Sequence, residues 1–304
     1  MEQNIFKGIN AIEFSKRFQN NDDCYNYLIT IKWGKGYKCS RCGCEQSHKG
    51  RTYYFKRCKA CGYDESVTAN TVFHGIKMPI LKAFHMVFRL TAKKKGMSTI
   101  ELGTEVGVQQ KTAWLFKRKV QAVMKKDRDD KMKGTVEVDE TLIGGYSTAK
   151  GRSTETKDAL FVAVETLSDG RTGNIALQHI EGFTADELKY AIKDNIKNEA
   201  AIKTDAYHSY KKLAKQMKNI TYSYSEKGSA MDELHKQIMQ FKNWLRGTHH
   251  QCSSGYLFAY TDEYVYRFNR RNMRRRLFND VMVRLMHQIP HPYNYLKTLC
   301  VYST

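Results

Sequence analysis

The run Val136-Glu137-Val138-Asp139-Glu140 constrains this chain more than any other stretch. Its β-branched residues read as a buried strand, yet it carries carboxylates, and a carboxylate inside an apolar strand is costly unless paired, hydrogen-bonded or bound to metal. A second acid is set alike. Asp205 ends the short strand signal Ala200-Ala201-Ile202-Lys203-Thr204, and His208-Ser209-Tyr210 opens a helix just after it. Two strand-end aspartates suit a divalent cation. Charge supplies the substrate class: the 304 residues carry 51 Lys and Arg against 31 Asp and Glu, a formal net charge of +20. A field of that sign favours a polyanion through counterion release, so nucleic acid is the expected partner and metal-assisted phosphoryl transfer the expected chemistry. No signal peptide, no span of about 20 apolar residues and no amphipathic anchor is legible. The chain is therefore expected in the cytoplasm, with the nucleoid and not with a membrane.

Four of the eight cysteines form two pairs, Cys39-Ser40-Arg41-Cys42 and Cys58-Lys59-Ala60-Cys61, fifteen residues apart. That spacing closes one tetrahedral thiolate site, which predicts one structural zinc per chain. Gly43 and Gly62 follow the pairs and let the backbone turn around the metal. Cys44 places a fifth thiol close by. Lys38, Arg41, Lys49, Arg51, Lys56, Arg57 and Lys59 interleave with Tyr53, Tyr54 and Phe55, either a nucleic-acid contact or a solvated basic face.

Further along, apolar spacing predicts helices over 80–124, and Ser98 to Lys119 reads as a helix-turn-helix with Gly107 at the turn. Gln109, Gln110, Lys111 and Thr112 would begin the recognition helix, with Lys117 a further DNA contact. Residues 127–134 contain an apolar-free charged run and read as a linker. Strands are then expected at Thr135–Ile143, Ala159–Thr166 and Gly173–Ile180, followed by a helix with the capping box Thr184/Glu187, the Asp205 strand, a helix near Ser209–Met217, a strand at Asn219–Ser225 and a helix at about Ser229–Arg246. This order fits a mixed sheet flanked by helices. At the N-terminus, Asn21 and Asp22 are the expected caps of a short helix.

In the helix at 229–246, Leu234, Ile238, Phe241 and Leu245 form a core stripe. His235, Met239, Lys242 and Arg246 line one flank, and Glu233, Gln237, Gln240 and Trp244 the other. His235 and Lys242 stand two turns apart on one face, where a metal ligand and a phosphate-holding lysine fit, as do the polar flanks of any amphipathic helix. Arg267, Arg270 and Arg271, set among aromatics, suit either phosphate contacts or a charged helix surface.

Taken together, the cysteine pairs, "SVTANTVFHGIKMPILKAF", "KGMSTIELGTEVGVQQKTAWLFKRKV", "VEVDET" with Gly144-Gly145, "TDAYHSY", and "FKNWLRGTHH" with "YTDEYVYRFNRR" resemble the insertion-sequence transposases that join an N-terminal zinc ribbon to a DDE-type core, the group numbered IS fifteen-ninety-five. The likeness covers about residues 14 to 272. It implies a multidomain α+β chain: a helical lead-in (1–35), a zinc ribbon (36–75), a helix-turn-helix domain (76–126), the linker, a ribonuclease-H-like mixed-sheet core (135–272) and a C-terminal helical tail (273–304). It also implies a bacterial DNA transposase acting on terminal inverted repeats and target DNA, as a homo-oligomer, by strand cleavage and strand transfer. Asp139 and Asp205 correspond to the metal-holding aspartates, for two Mg2+ or Mn2+ ions, and Lys242 to the lysine of the last helix. The third ligand departs from the family's glutamate: His235 stands there, with Glu233 or Gln240 as the alternatives. Imidazole is a poorer magnesium ligand than carboxylate. Glu137 shares a strand face with Asp139 but lies farther back, and Glu140 points to the other face, so both are expected to support ligands rather than to be ligands.

Overall fold

The computed structural model describes residues 6–8, 10–127, 129–144, 157–224, 231–249 and 252–301. Gly145, Ser229 and His250 of the sequence motifs lie outside them. The chain divides into two compact units, residues 1–124 with 272–296, and residues 125–271 with 297–304.

The first unit opens with α1 (Ala11–Arg17) and α2 (Asn21–Trp33). The cap of α2 is Asn20 rather than Asn21 or Asp22, because only from there can Asp23 at the third helical position return the bond and complete a capping box. The ribbon follows as an antiparallel sheet of β1 (Ser47–Lys49), β2 (Phe55–Cys58) and β3 (Asp64–Ser66). It is joined to α2 by a buried ion pair, Lys32 Nζ to Glu65 Oε1 at 2.9 Å, and Lys32 also donates to the carbonyls of Ser66 and Ala69.

Three helices come next: α3 (Ile80–Ala92), α4 (Thr99–Val106) and α5 (Gln110–Val123). Ser98 caps α4 by accepting from the Glu101 N–H, and α4 ends at Gly107, whose φ of +67° is the left-handed conformation that favours glycine. Gly103 allows the close α4–α5 crossing, since a Cβ there would stand 2.9 Å from the Val108 carbonyl oxygen.

The second unit is built on β4 (Thr135–Gly144), β5 (Lys157–Thr166) and β6 (Thr172–Ile180), then α6 (Ala185–Asn195), β7 (Ala201–Asp205), α7 (His208–Ala214), β8 (Ile220–Ser223), α8 (Asp232–Thr248) and α9 (Leu257–Asn269). The sheet order is β6-β5-β4-β7-β8. β5 pairs antiparallel with both β4 and β6, whereas β7 is parallel to both β4 and β8. The expected succession of strands and helices is therefore present as one mixed sheet. Alternation sorts its side chains between two layers. Val136, Val138 and Phe161 pack with Leu188, Ile192, Tyr210 and Leu213 of α6 and α7. On the other face Val162, Val164 and Ile175 pack with Leu234, Ile238 and Val265 of α8 and α9, and Leu160 with Phe241 and Leu245. Glu165 closes the β5–β6 hairpin by accepting from the Asn174 and Lys133 N–H groups, each at 3.0 Å.

After residue 271 the chain returns to the first unit as α10 (Leu277–His287), before the final α11 (Tyr293–Val301). Phe278 enters an aromatic cluster with Phe6, Phe14, Phe18, Tyr27 and Phe84, at ring-centroid distances of 5.5 to 6.0 Å. Asn279 Oδ1 accepts from the Tyr27 hydroxyl at 2.7 Å, and the Leu285 carbonyl from the Val72 N–H at 3.0 Å. The segment set apart in the sequence as a tail thus completes the core of the N-terminal unit. Its apolar face needs a partner, and the aromatics of residues 6–88 provide one.

Candidate active site

β4 and β7 run parallel with Val138 opposite Thr204. Both of those side chains are buried on the α6–α7 side, so the next residue on each strand, Asp139 and Asp205, turns to the opposite face. The two aspartates stand side by side on strands about 4.8 Å apart. Asp139 is buried and its Oδ1 accepts from the Glu140 N–H at 2.8 Å. Asp205 is half-buried, and its Oδ1 accepts from the Tyr207 N–H at 3.1 Å, which turns the chain from β7 into α7.

Of the three alternatives on α8, His235 is the one brought to this pair: its Nδ1 stands 4.0 Å from Asp139 Oδ2. Glu233 is engaged elsewhere. Its Oε1 accepts from the Thr172 hydroxyl at 2.6 Å and from Gln237 Nε2 at 2.7 Å, and these bonds hold its carboxyl below the usual range. Gln240 is exposed. Lys242, half-buried, has its ammonium pushed down by burial and by the neighbouring charges of Arg246 and Lys157. Lys157, at the start of β5, is a cation near this flank that the sequence reading did not single out; no motif marks it.

Glu137 and Glu140 divide between the faces as alternation dictates. Glu140 lies against the buried phenol of Tyr210, which burial, then Glu140, Asp139 and Asp205, keep neutral well above its ordinary value. Glu137 faces the start of α8; burial raises its carboxyl, while the Leu234 N–H, Lys203 and His235 favour its charge. Its Oε2 is buried without a hydrogen-bond partner. Asp139 and Asp205 on one face, with the His235 imidazole beside Asp139, are a donor set that suits a divalent cation. The set is open, since among the described residues only the four zinc-ribbon cysteines bring three or more His, Cys, Asp or Glu ligand atoms within 4.8 Å of one another.

That cysteine cluster is closed. Cys39 Sγ stands 3.7 Å from Cys61 Sγ, and Cys42 Sγ 3.5 Å from Cys58 Sγ. A tetrahedral zinc with Zn–S of about 2.3 Å needs sulfurs about 3.8 Å apart, so the residues fit the metal. Two equivalent turns build the site: the Gly43 N–H bonds the Cys39 carbonyl and the Gly62 N–H bonds the Cys58 carbonyl, each glycine at positive φ.

The expected DNA contacts separate. Gln109, Gln110 and Lys111 are exposed at the start of α5, and Thr112 is half-buried. Lys117 is corrected: it is 1% exposed, and its Nζ donates to the Met97 carbonyl at 2.8 Å, so it belongs to the core. The three arginines are also held within the fold. Arg267 pairs with buried Glu263, Arg270 lies over the Tyr266 ring and 3.9 Å from Asp130, and Arg271 donates to the carbonyls of Phe268 and Thr172. They fasten the end of α9 rather than presenting free phosphate contacts. No helix among the described residues is long and apolar enough to cross a membrane.

Residues 131–269 match the family model described as an ISXO2-like transposase domain. The mixed-sheet unit with its paired strand aspartates is thus a transposase domain. Residues 19–64 match the transposase zinc-ribbon domain, which includes α2 as well as the cysteine sheet. The two matches, in this order, are to domains of the zinc-ribbon, ISXO2-like insertion-sequence transposases that the motifs resemble. No curated protein matches the chain.

Proposed function

We propose that this protein is the DNA transposase of a bacterial insertion sequence, binding the element's terminal inverted repeats and catalysing metal-dependent strand cleavage and strand transfer. The observation that carries the reading is the same-face pairing of Asp139 and Asp205 on adjacent parallel strands inside a transposase domain. The sheet order, with β4 between an antiparallel and a parallel neighbour, supports a ribonuclease-H-like core. Asp139, Asp205 and His235 would hold two Mg2+ or Mn2+ ions, with the imidazole favouring the softer Mn2+. When bound, the ions activate water or a DNA 3′-hydroxyl and stabilise the leaving oxygen, so cleavage and joining are one chemistry with two nucleophiles. The chain's own part is to orient these groups and to hold the scissile phosphate, for which Lys242 supplies a cation on the flank of His235. In the first unit, α4, the turn at Gly107 and α5 are read as a helix-turn-helix, with Gln109, Gln110 and Lys111 reaching base edges and phosphates. Two element ends require two active sites, hence a homo-oligomer on DNA.

The test is a supercoiled plasmid bearing the element's ends, incubated with protein and Mg2+ or Mn2+. Nicked and joined products are expected from the wild type, and none from Asp139→Asn. End binding without metal-dependent products in the wild type would instead mark a DNA-binding regulator.

A further inference from the structure

We propose that the bare face of β7 and β8 beside Asp205 seats the DNA strand leading to the scissile phosphate, and that Lys203 holds the strand's backbone there. Alternation fixes which side chains make up this face. Ile202, Thr204 and Ile220 are buried, and both isoleucines pack with α6 and α7. Ala201, Lys203, Asp205, Thr221 and Ser223 therefore turn to the other side, that of Asp139. The register sets Lys203 beside Thr221 and Asp205 beside Ser223. On this side α8 and α9 cover β5 and β6, and no described residue of β7 or β8 enters their apolar clusters. Ala201, Lys203, Thr221 and Ser223 are accordingly all exposed. Strands that pair in parallel, as β7 does with both neighbours, are ordinarily covered on both faces. Here one face is left bare, and it ends at the paired aspartates.

The chemistry of this face selects its occupant. The four exposed side chains are a methyl, an ammonium and two hydroxyls, with no group of the kind that forms the apolar core of a protein interface. A polyanion fits instead: lysines and hydroxyls contact phosphate oxygens, and a chain of net charge +20 attracts nucleic acid rather than a second copy of itself. Lys203 stands two residues, about 6.6 Å, before Asp205 along β7. Its register partner on β4, Glu137, is half-buried, whereas Lys203 is exposed. The Thr221 hydroxyl donates to the Ile202 carbonyl at 3.2 Å, so the phosphate contact falls to Lys203 and Ser223.

The inference rests on the reading of Asp139 and Asp205 as the reaction centre, and the experiment keeps the two apart by leaving metal out. Full-length protein carrying the photocrosslinker p-benzoylphenylalanine in place of Thr221 is bound to a duplex of the element's end without divalent cations and irradiated. The control carries it in place of Lys212, exposed on α7 on the opposite side of the sheet. Position 221 should capture DNA and position 212 should not. Salt titrations of the same duplex are read in parallel: Lys203→Ala should lower the log–log salt slope by about 1, and Lys203→Arg should restore it. A gel-shifted complex without DNA adducts at position 221 overturns the proposal, as does an unchanged slope in Lys203→Ala. Capture of a second protein chain in place of DNA also overturns it and gives the face to a dimer. If no DNA complex forms at any salt concentration, the proposal and the transposase reading fall together. If the adducts form but wild type with Mg2+ or Mn2+ yields no products, only the catalytic reading falls.

Discussion

Replacing Asp139 or Asp205 by asparagine removes one negative charge with almost no change of shape. Each variant is expected to bind duplex DNA as wild type does while losing all detectable cleavage and joining, because metal-assisted displacement leaves no nucleophile on the protein to take over. Gel-shift and plasmid assays on the same preparations check both halves. A third carboxylate gives a pH signature. Burial pushes Asp262 of α9 up to about 7 from an ordinary 3.8. Between those values the folded chain keeps a proton that the unfolded chain has lost, so this residue's contribution is favourable at low pH and fades as pH rises towards 7. Asp262→Asn should remove that slope, gaining more than about 1 kcal/mol on wild type at pH 7 relative to pH 4.5 in denaturant melts. At this scale the placing of Asp139 and Asp205 on strands was legible because carboxylates in a β-branched run are rare and costly. Lys117 was not legible, because a basic residue on a basic helix carries no mark of burial. Lys117→Ala is accordingly expected to cost about 1 to 3 kcal/mol of stability, through the unsatisfied Met97 carbonyl, with DNA affinity of the folded fraction unchanged.

Elements were read with uneven success, for a physical reason. β4, β5 and β6, α6 with its Thr184 cap, and β7 announce themselves through local signals: alternation, caps and turn residues. The cysteine turns are local too, since spacing alone specifies the thiol tetrahedron. Cys58→Ser should therefore lower zinc content from one per chain and raise hydrogen exchange across β1–β3 while the β4–β8 sheet stays protected; full zinc occupancy in a Cys39, Cys58 double variant would overturn the site. α10 failed as a separate tail because its partners are more than 180 residues away, and no local pattern encodes a distant face. For the third position near the aspartates, His235 was read ahead of Glu233 and Gln240 from its helix flank, and what separates it from Glu233 is again not local. Glu233, on the opposite flank, is held by hydrogen bonds from Thr172 on β6 and from Gln237, and the partner on β6 is one that no pattern within the helix encodes.

For the whole molecule, a net charge of +20 predicts that binding to any duplex weakens steeply with salt. Lys111→Ala, exposed at the start of α5, is expected to lower the log–log salt slope by about 1 if it meets a phosphate, or to relax sequence preference if it meets a base edge. Titrations of specific and random duplexes at several salt concentrations distinguish the two. The chain leaves its first compact unit near residue 124 and re-enters it near residue 272. During synthesis, Phe278 is made only after the entire transposase domain, so the cluster of Phe6, Phe14, Phe18, Tyr27 and Phe84 waits open on the nascent chain. Maturation of the N-terminal half is thus tied to the synthesis of α10, and a message cut short after the transposase domain would yield a protein whose beginning never closes.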